Sequence, residues 1–526
     1  MHCRRLIRLL VLASTLLASV AQALASSQQT HGRRVAVIGG GAGGVSAALF
    51  THNLAGNYTT RPVQLTLFEA SERIGGRARA VAVPNPFDPT LDPVLVETGA
   101  AMFVSLNTHL MAAVKRYNLS LVSQSESCST KFEDPNESRR KHDVEPQAPA
   151  FGIFNGQDII FSADEDSTWS TIAKAAWRWG LLSPYRARSL ALSTAAQFAK
   201  SYELEANNGL GFANLRSFLM DGLRMDLALV TSSAREYLLS QGVGAQFLDE
   251  FVEPATRVNY GQNLDCNALG ALICLTAAFV DGDAVVGGNS LIFEGMVKES
   301  GAKVLLETPV EEVRKTNAST YSLLDASGKL LGEFDDVIVA VPFVEGLPCI
   351  RFTNTQTVPT PIPYVHLHVT FVTGVLNPSR FHTGPGQLPR AILTTAAAAV
   401  SGLPVNSIGT RHEFPGTNVT VTKLFSQHTL GDVALSALYE TVLRVERLQW
   451  DAYPVLRPLS WEDSGDPVVV VDEIVGAGGV FHVNAFEAYF SAMEGETVAS
   501  ANVVQLMMGR WRELEEKEAL ELGREL

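Results

Sequence analysis

Val35-Ala36-Val37-Ile38-Gly39-Gly40-Gly41-Ala42-Gly43-Gly44 is the stretch of sequence that decides the fold. An apolar run leads into glycines that fit the spacing G-x-G-x-x-G at Gly39, Gly41 and Gly44, and small residues follow from Val45. In a strand–turn–helix unit the first glycine permits the tight turn, the second lets the backbone approach a pyrophosphate, and the third lets helix and strand pack closely. This order predicts a dinucleotide-binding unit.

An acidic residue ends the next predicted strand. Val63 to Phe68 is apolar and is followed by Glu69, which lies 25 positions after Gly44 (69 − 44). A carboxylate at this place accepts hydrogen bonds from the ribose hydroxyls of adenosine. The alternative is a glycine-rich turn in a structural βαβ unit that binds no ligand. The ordered set of strand, glycines, helix and acid favours the binding site.

A second glycine cluster follows at Glu72-Arg73-Ile74-Gly75-Gly76-Arg77. A Gly-Gly pair flanked by arginines lies outside the minimal dinucleotide pattern, and it is typical of flavoproteins of the amine oxidase and GDI-like group. The cluster therefore favours FAD over NAD as the cofactor. Arg73 or Arg77 would face an FAD phosphate or the flavin, or else be a solvated loop charge. The residues predicted to bind the cofactor are Gly39, Gly41, Ala42, Gly43, Gly44, Glu69, Arg73, Gly75, Gly76 and Arg77.

The composition describes a globular chain with a large core. The 526 residues are 46% hydrophobic and 18% charged, and their formal net charge is −14. An acidic chain without a basic stripe argues against nucleic acid as a partner. The cysteines beyond position 25 form no C-x-x-C or other metal-ligand spacing, so no metal site is predicted and disulfide pairing stays open.

The first 25 residues are typical of a secretory signal peptide. Basic residues at positions 4, 5 and 8 precede a mainly apolar run, Leu9 to Leu24, and Ala23-Leu24-Ala25 offers a cleavage site. The alternative is an uncleaved membrane anchor, and no other stretch is long enough to span a bilayer. This route predicts a lysosome-like, vacuolar or extracellular location. The predicted glycosylation sites are the sequons at Asn57, Asn118, Asn136, Asn317 and Asn418.

Patterning along the chain predicts an α/β fold. A discontinuous, Rossmann-like FAD domain of the two-dinucleotide-binding type is combined with a mixed helical and β-sheet substrate domain. Trp169, Trp177 and Trp179 in the helical region either pack in the core, line an apolar channel or touch a membrane. The predicted segments are 1–25 (signal peptide), 33–105 (first FAD-binding segment), 106–284 (mainly helical substrate-side insertion), 285–345 (second FAD-binding segment), 346–469 (substrate-side sheet), 470–508 (third FAD-binding segment) and 509–526 (charged tail).

The order of these segments resembles the prenylcysteine oxidase (prenylcysteine lyase) family of FAD-dependent thioether oxidases. The glycine patterns are shared with many flavoenzymes, so the resemblance to this family in particular depends on later stretches. Glu253-Pro254-Ala255-Thr256-Arg257-Val258-Asn259-Tyr260-Gly261-Gln262-Asn263 is the most specific of them. The others are the Gly287-Gly288-Asn289 turn, Ala452-Tyr453-Pro454 and the terminal segment from Asn484 to Asn502.

The resemblance implies an oxidase that cleaves the thioether of farnesyl- or geranylgeranyl-cysteine to prenyl aldehyde, cysteine and hydrogen peroxide, with dioxygen as the electron acceptor, in prenylated-protein degradation. It also implies that the backbone of Val310 meets the adenine. Hydride loss from the allylic carbon next to sulfur requires no acidic or basic side chain, so the catalytic residues stay unknown. Tyr260, His366 and His368 are candidates for orienting the cysteine end or aiding water addition, or else they are structural. The alternatives are an FAD-dependent amine or polyamine oxidase and a non-catalytic prenyl-binding carrier.

Overall fold

The computed structural model describes residues 32–123, 148–163, 168–280, 282–316, 320–384, 386–460, 466–474 and 478–525. The predictions about the signal peptide at 1–25 and about the sequons at Asn136 and Asn317 lie outside these residues. Within the described ranges, the helices are too short or too polar to cross a lipid bilayer.

A six-stranded sheet forms the centre of the fold. Its parallel order brings the carboxyl ends of the first two strands of the chain to one edge, where the glycine loop and Glu69 follow them. The first helix, Ala42–Leu54, connects these two strands. In spatial order the strands are Lys303–Leu305, Val63–Phe68, Arg33–Ile38, Asp336–Val339, Gly478–His482 and Val470–Ile474, of which only the last is antiparallel to its neighbour.

The central sheet takes its strands from three distant regions of the chain. These regions lie within the segments 33–105, 285–345 and 470–508 that the sequence assigns to FAD binding. The helix Ser290–Ser300 and the C-terminal helix Met493–Glu525 both pack on the first helix. The segments thus form one layered unit of helices against a mostly parallel sheet.

A four-stranded sheet covers one face of the central sheet. Ala36 and Ile38 of the central sheet share a buried apolar cluster with Val313 and Leu323 of the smaller one. Such burial stabilises the pair of sheets by about 25 cal/mol for each Å² of apolar surface removed from water. The strands in spatial order are Leu330–Phe334, Tyr321–Leu324, Glu312–Lys315 and Arg351–Thr353.

A seven-stranded sheet forms the second large body of the fold. It is built around the long strands Tyr364–Leu376 and Tyr439–Pro454, which pair antiparallel. Its strands in order are Tyr439–Pro454, Tyr364–Leu376, Thr420–Ser426, Ser407–Glu413, Ala391–Thr394, Phe151–Phe154 and Ile159–Ala163. Two smaller sheets are the hairpin Arg79–Val83 with Val94–Gly99 and the set Phe103–Val104, Gly282–Val285 and Leu121–Ser123.

Helices occupy most of the chain between positions 168 and 279. Apolar residues at helical spacing bury one side of each helix in a core that extends to the first helix and the C-terminal helix. Other than those already named, the α-helices are Thr108–Arg116, Thr168–Trp179, Leu182–Phe198, Lys200–Ala206, Leu215–Ser217, Ala228–Thr231, Ala234–Ser240, Ala245–Phe247, Glu253–Tyr260, Ala268–Phe279, Ala396–Val400 and Asp432–Leu438. Short 3-10 or π segments are Ala55–Asn57, Phe218–Gly222, Leu248–Val252, Pro378–Phe381 and Val483–Ala488.

The predicted charged tail, 509–526, continues the C-terminal helix as far as the described residue Glu525, and its first turn is packed in the protein. Trp511 is buried, and its indole N–H donates a hydrogen bond to Asp336 Oδ2 over 2.9 Å. Arg510 lies over the ring of Phe481 and pairs with Glu473. The sequence pattern suggests a solvated helix end because charged residues outnumber the apolar ones there, yet Trp511 and Arg510 together fix that turn to the central sheet.

Candidate functional site

The glycine loop has the backbone that its sequence pattern requires. Gly39 has a φ of +108°, a conformation that glycine adopts at little cost and that L side chains rarely adopt. A β-carbon at Gly39 would overlap the carbonyl oxygen of Ala340, and one at Gly44 would overlap the carbonyl oxygen of Gly39. The first and third glycines of the pattern therefore allow a tight turn and close packing of the helix on the strand.

The middle glycine, Gly41, faces open space. A β-carbon there would have only the Cα of Gly76 nearby, at 3.7 Å. Gly41 caps the first helix, and within the described residues no side chain satisfies the N–H groups of its first turn. Free N–H groups at a helix N-terminus attract an anion such as a pyrophosphate. The space and the donors fit the phosphates of a dinucleotide.

The second glycine cluster lies against the first. The N–H of Gly75 donates a hydrogen bond to the Gly40 carbonyl over 2.8 Å, and both Gly75 and Gly76 have positive φ values, +115° and +55°. The Cα of Gly41 lies 2.9 Å from the β-carbon position of Gly76, so a side chain at Gly76 would collide with the first loop. The two clusters, which are well separated in sequence, thus form one continuous backbone surface.

Glu69 lies beside this surface, at the end of its strand. Its Oε2 accepts a hydrogen bond from the N–H of Gly40 over 2.6 Å, and its Oε1 accepts from the backbone and hydroxyl of Ser71. The carboxylate is half-buried, and Oε2, which accepts one hydrogen bond, retains a lone pair for a further donor. Glu69 is therefore held in place by the loop itself, in a position that suits a ribose hydroxyl.

Val310 lies in the chain that follows the outer strand of the central sheet. The N–H of Thr308 donates a hydrogen bond to the Glu69 carbonyl over 2.9 Å, so this segment runs next to the acid. Val310 is buried in side chain, and among the described residues its own N–H and carbonyl have no hydrogen-bond partner. Its predicted backbone contact with adenine fits this arrangement and stays a prediction.

Arg73 shapes the second glycine turn. Its guanidinium donates hydrogen bonds to the carbonyls of Ile74 (3.2 Å), Gly76 (2.5 Å) and Ala78 (3.1 Å). Burial lowers the pKa of Arg73, and the nearby Arg79 lowers it further. Its contacts therefore stabilise a loop with two left-handed glycines, and the predicted contact with a phosphate would have to share these donors.

Arg77 forms an ion pair with Glu487, which lies 410 positions further along the chain. Glu487 is completely buried and also accepts hydrogen bonds from Tyr364 (2.7 Å) and Ser491 (2.8 Å). Burial alone would raise the pKa of Glu487, but Arg77 and these donors outweigh it and lower the pKa. Arg77 also donates to the Ala452 carbonyl over 3.0 Å. The arginine thus connects the glycine loops, the large sheet and the C-terminal segment.

Glu496 is a residue of the site that the sequence interpretation missed. Its Oε2 lies 2.7 Å from the position that a β-carbon of Gly43 would occupy, next to the first turn of the first helix. Burial, together with the nearby Glu487, raises the pKa of Glu496 well above its usual range. A raised pKa reduces the negative charge that this carboxyl would hold next to a pyrophosphate. Its position two residues after Glu494 in the quoted terminal segment was the available signal.

Glu97 and Asn289 join the first two segments of the nucleotide domain. Glu97 Oε1 accepts from the Asn289 N–H over 2.6 Å, and the Asn289 side-chain amide donates to the Ala100 carbonyl over 2.8 Å. The buried Lys423 of the large sheet donates to the Glu97 carbonyl over 2.9 Å, and burial lowers its pKa far below the usual range. The Gly287-Gly288-Asn289 turn thus fixes the strand that leads into the small residues after Gly99.

The segment from Glu253 to Asn263, which carries the most specific part of the family resemblance, mainly forms hydrogen bonds that hold neighbouring parts of the fold together. Arg257 donates to the Thr394 carbonyl (3.0 Å) and to Asn263 (3.0 Å), and Gln262 donates to the Pro454 carbonyl (3.0 Å). Tyr260 is buried and its hydroxyl donates to the Ser491 carbonyl over 2.9 Å, two residues before the C-terminal helix. The run therefore connects the helical insertion to the large sheet and to the C-terminal segment.

The two candidate histidines lie on one face of the large sheet. Their rings are 5.2 Å apart; His366 pairs with Asp451 over 3.1 Å, and His368 contacts the hydroxyl of Thr429 over 3.2 Å. His368 also lines a surface cavity of about 240 Å³. The side chain of Leu367, between them on the strand, belongs to the apolar cluster on the opposite face. The structure does not bring these histidines together with the glycine loops, and a catalytic role for either stays a prediction.

The sequon asparagines that the structure describes lie at the surface, whereas the cysteines of the helical region are buried. Asn57 ends a 3-10 segment, and Asn118 and Asn418 lie in a turn and a bend; all three are exposed, which suits glycosylation, and the modification itself stays a prediction. Cys266 and Cys274 are buried free thiols. Among the residues that the structure describes, no group of three or more His, Cys, Asp or Glu side chains is arranged to hold a metal ion.

Comparison with known families and proteins identifies the class of the chain. Residues 162–519 match the protein family described as "Prenylcysteine lyase", and residues 37–117 match the family described as "NAD(P)-binding Rossmann-like domain". Prenylcysteine oxidase 1 of Homo sapiens is 27% identical over 504 residues, covering 91% of this chain and 89% of the relative. Farnesylcysteine lyase of Arabidopsis thaliana is 25% identical over 487 residues, covering 91% and 88%.

Solved structures show the same fold at low sequence identity. A fatty acid isomerase of P. acnes that produces CLA superposes with a TM-score of 0.54 and 12% identity, and a putrescine oxidase bound to putrescine with 0.51 and 14%. Each covers 90% of this chain and 98% of its own. The fold is that of a Rossmann-like dinucleotide-binding protein, which confirms the predicted fold class. The chain belongs to the prenylcysteine lyase family, as the family match over most of its length shows.

Proposed function

We propose that the chain binds FAD at the surface formed by its two glycine clusters. The open space at Gly41, the free N–H groups of the first helix and the position of Glu69 support a dinucleotide there. The Gly75-Gly76 pair, held by Arg73, supports the longer FAD over NAD, because it extends the surface beyond the minimal pattern. In this proposal Glu69 binds the ribose, the first helix binds the pyrophosphate and Val310 meets the adenine.

We infer that the reaction is the oxidative cleavage of a prenylcysteine thioether. Prenylcysteine, dioxygen and water would give prenyl aldehyde, cysteine and hydrogen peroxide, a balance in which the C1–S bond breaks and C1 is oxidised. FAD, when bound, supplies the two-electron acceptor for C1 and passes the electrons to dioxygen. The observation that carries this proposal is membership of the prenylcysteine lyase family across residues 162–519.

The chain's own residues position and enclose the reaction. The ion pair of Arg77 with Glu487 fixes the end of the second glycine cluster against the large sheet, and Tyr260 holds the chain before the C-terminal helix through Ser491. Trp450 of the large sheet reaches Gly99, where the ring lies 2.8 Å from a β-carbon position. These contacts bring apolar and aromatic surface of the sheet next to the cofactor domain, which would shield the hydride transfer from bulk solvent while a single water still reaches C1.

The test is an absorbance spectrum of the purified full chain before and after farnesylcysteine is added without oxygen. A flavin band that bleaches, followed by farnesal and hydrogen peroxide when air is admitted, is the expected result. Putrescine serves as the matched amine. Bleaching by putrescine and not by farnesylcysteine would replace the proposal with an amine oxidase. A purified chain that binds farnesylcysteine but holds no flavin, even after FAD is supplied, would replace it with a carrier.

The location and modification of the chain are proposals of the same kind. The basic and apolar start of the sequence and its sequons support entry into the secretory pathway, with a lysosome-like, vacuolar or extracellular destination. The surface positions of the sequon asparagines at 57, 118 and 418 support glycosylation. Mass spectrometry of the protein secreted from eukaryotic cells tests both, through the mature N-terminus and the glycan mass at each asparagine.

A further inference from the structure

Three tryptophans of one helix have very different surroundings. In the helix Thr168–Trp179, Trp179 is 9% exposed; its ring packs against Phe161 (4.6 Å between centroids) and Phe247 (5.3 Å). Its indole N–H donates a hydrogen bond to Glu250 Oε2 over 2.7 Å. Trp179 therefore fixes the helix to the body of the protein and determines which side of the helix faces outward.

The other two tryptophans lie on the outward side. Trp169 is 81% exposed and Trp177 is 93% exposed. They are eight positions apart (177 − 169) with the exposed Ala173 midway, so all three lie in one stripe along the helix. Tryptophan is rarely left in water to this extent, because its large apolar ring gains from burial.

The apolar stripe continues across the turn into the next helix, Leu182–Phe198. Leu181 is 70% exposed, Leu182 63% and Tyr185 70%. The exposed apolar surface, defined as Trp169, Trp177, Leu181, Leu182 and Tyr185, is thus contributed by one helix–turn–helix unit. A contiguous patch of this kind marks a binding surface.

The charge of this unit is opposite to that of the whole chain. Residues 168–198 contain four basic residues and no acidic one, whereas the full chain has a net charge of −14. Lys174, Arg186 and Arg188 are exposed, and Arg178 pairs with Glu250. The acidic triplet 164–166 precedes the helix in sequence and lies outside the described residues. Exposed Trp, Tyr and Leu next to Lys and Arg are the composition that lies at the boundary of an anionic membrane.

We propose that the exposed apolar surface docks on an anionic lipid bilayer, with Trp169, Trp177 and the Leu181–Tyr185 turn inserted at the headgroup level. A second copy of the chain fits less well, because a symmetric contact would bring two basic surfaces together. The docking would bring the enzyme to lipid-anchored substrate, an inference that rests on the proposed cleavage of prenylcysteines.

The interior behind this surface is aromatic. The Trp179 ring contacts Phe251 (5.7 Å between centroids), and Phe251 stacks on Phe279 at 6.1 Å. Phe251 comes two positions before the helix Glu253–Tyr260, which ends at the tyrosine that binds the Ser491 carbonyl. Apolar side chains thus connect the docking surface with the region of the fold that contacts the C-terminal segment.

The experiment is flotation of the full chain, without substrate, on vesicles of phosphatidylcholine with or without phosphatidylserine. Wild-type protein should float with the phosphatidylserine vesicles. The affinity of the double variant W169S/W177S for the same vesicles should be lower by at least about ten-fold. V433S is the matched control, since Val433 is 85% exposed in another region of the fold, and it should bind like the wild type. The variant R188S should have a weaker preference for phosphatidylserine.

Wild-type protein that does not float, or a double variant that floats equally well, would overturn the proposal. A dimer in light scattering that the double variant converts to a monomer would also overturn it, in favour of a second copy. Thermal melting of each variant establishes that it is folded. Because no substrate is present, a failure of thioether cleavage leaves this readout unchanged, and the two proposals can fail separately.

Discussion

The hydroxyl of Ser500 donates a hydrogen bond to the carbonyl of Gly43 over 2.6 Å, across 457 positions of the chain. Both residues are buried. The bond places the C-terminal helix against the first turn of the nucleotide helix, beside Glu496. The cofactor surface is therefore completed by the end of the chain as well as by its beginning, and changes at either end should affect it.

Gly41→Ala should separate cofactor binding from folding. The added β-carbon has 3.7 Å to its nearest neighbour, so the protein should fold and melt like the wild type, yet the methyl group would occupy the space proposed for a pyrophosphate. We expect the flavin content of the purified variant, measured by absorbance, to fall at least about ten-fold. Gly509→Ala is the control, because nothing lies within 4 Å of its β-carbon position in the C-terminal helix. It should retain flavin and be about 1 kcal/mol more stable. Equal flavin in both variants would contradict the assignment.

Glu487→Gln should destabilise the protein and Glu496→Gln should not, although both acids are buried. Glu487 is charged and paired with Arg77, so its replacement leaves a partly buried guanidinium without its counter-charge. We expect a loss of about 2 kcal/mol, less than for a fully buried pair because Arg77 is partly exposed. Burial and the nearby Glu487 raise the pKa of Glu496 well above its usual range, so replacing its carboxyl with the uncharged amide should have little effect. Thermal melting and flavin content at pH 7 measure both. A larger loss from Glu496→Gln would show that Glu496 is ionised.

Asp336 should make the protein less stable as the pH rises towards neutrality. Burial raises the pKa of Asp336 to about 7, although Arg33 and the indole N–H of Trp511 act in the other direction. The folded protein then binds a proton that the unfolded chain has lost above about pH 4. The contribution of Asp336 to the free energy of unfolding is therefore fully present at low pH. It decreases as the pH rises from about 4 to about 7 and is lost above that range.

The variant Asp336→Asn removes this dependence. Between pH 5 and pH 8 the wild type should lose about 2 kcal/mol more than the variant, as measured by urea unfolding at both values. Parallel pH profiles for wild type and Asp336→Asn would show that Asp336 is ionised in the native state.

Tyr260→Phe tests whether the tyrosine is structural or catalytic. The Tyr260 hydroxyl donates a hydrogen bond to the Ser491 carbonyl. We therefore expect the variant to lose about 1 kcal/mol of stability and to show little change in kcat. His366→Asn, at an exposed position, should change neither quantity. A fall in kcat of roughly a hundred-fold or more for Tyr260→Phe, with the melting temperature preserved, would assign the tyrosine a direct role in proton transfer. Stopped-flow bleaching with farnesylcysteine measures the step.

The sequence predicts the backbone geometry of the glycine loop well because its constraints are local. Gly39, Gly41 and Gly44 have the geometry that their spacing requires, and Glu69 follows its strand as expected. Contacts over long sequence separations could not be predicted in the same way. Arg77 pairs with the buried Glu487, 410 positions further along the chain, and no local sequence pattern at either residue indicates this ion pair.

The same limit applies to residues chosen by chemical type. His366 and His368 are attractive to sequence reasoning because histidine titrates near neutrality. Their strand alternates sides, however, and the histidines lie on the face opposite to Leu367. The tryptophans show the converse, since Trp169, Trp177 and Trp179 are equivalent in the sequence and only packing distinguishes the buried one from the two exposed ones.

The order of strands in the central sheet has a consequence for biosynthesis. The strand Asp336–Val339 pairs on one side with Arg33–Ile38 and on the other with Gly478–His482, which is made last. At a translation rate of roughly 5–20 residues per second, the ribosome needs roughly 20–90 seconds to get from the first of these strands to the last. During that interval the apolar edge of an unfinished sheet is exposed to the surroundings. We expect the nascent chain to depend on chaperones until the strand Gly478–His482 emerges, and termination before that strand to yield an insoluble product.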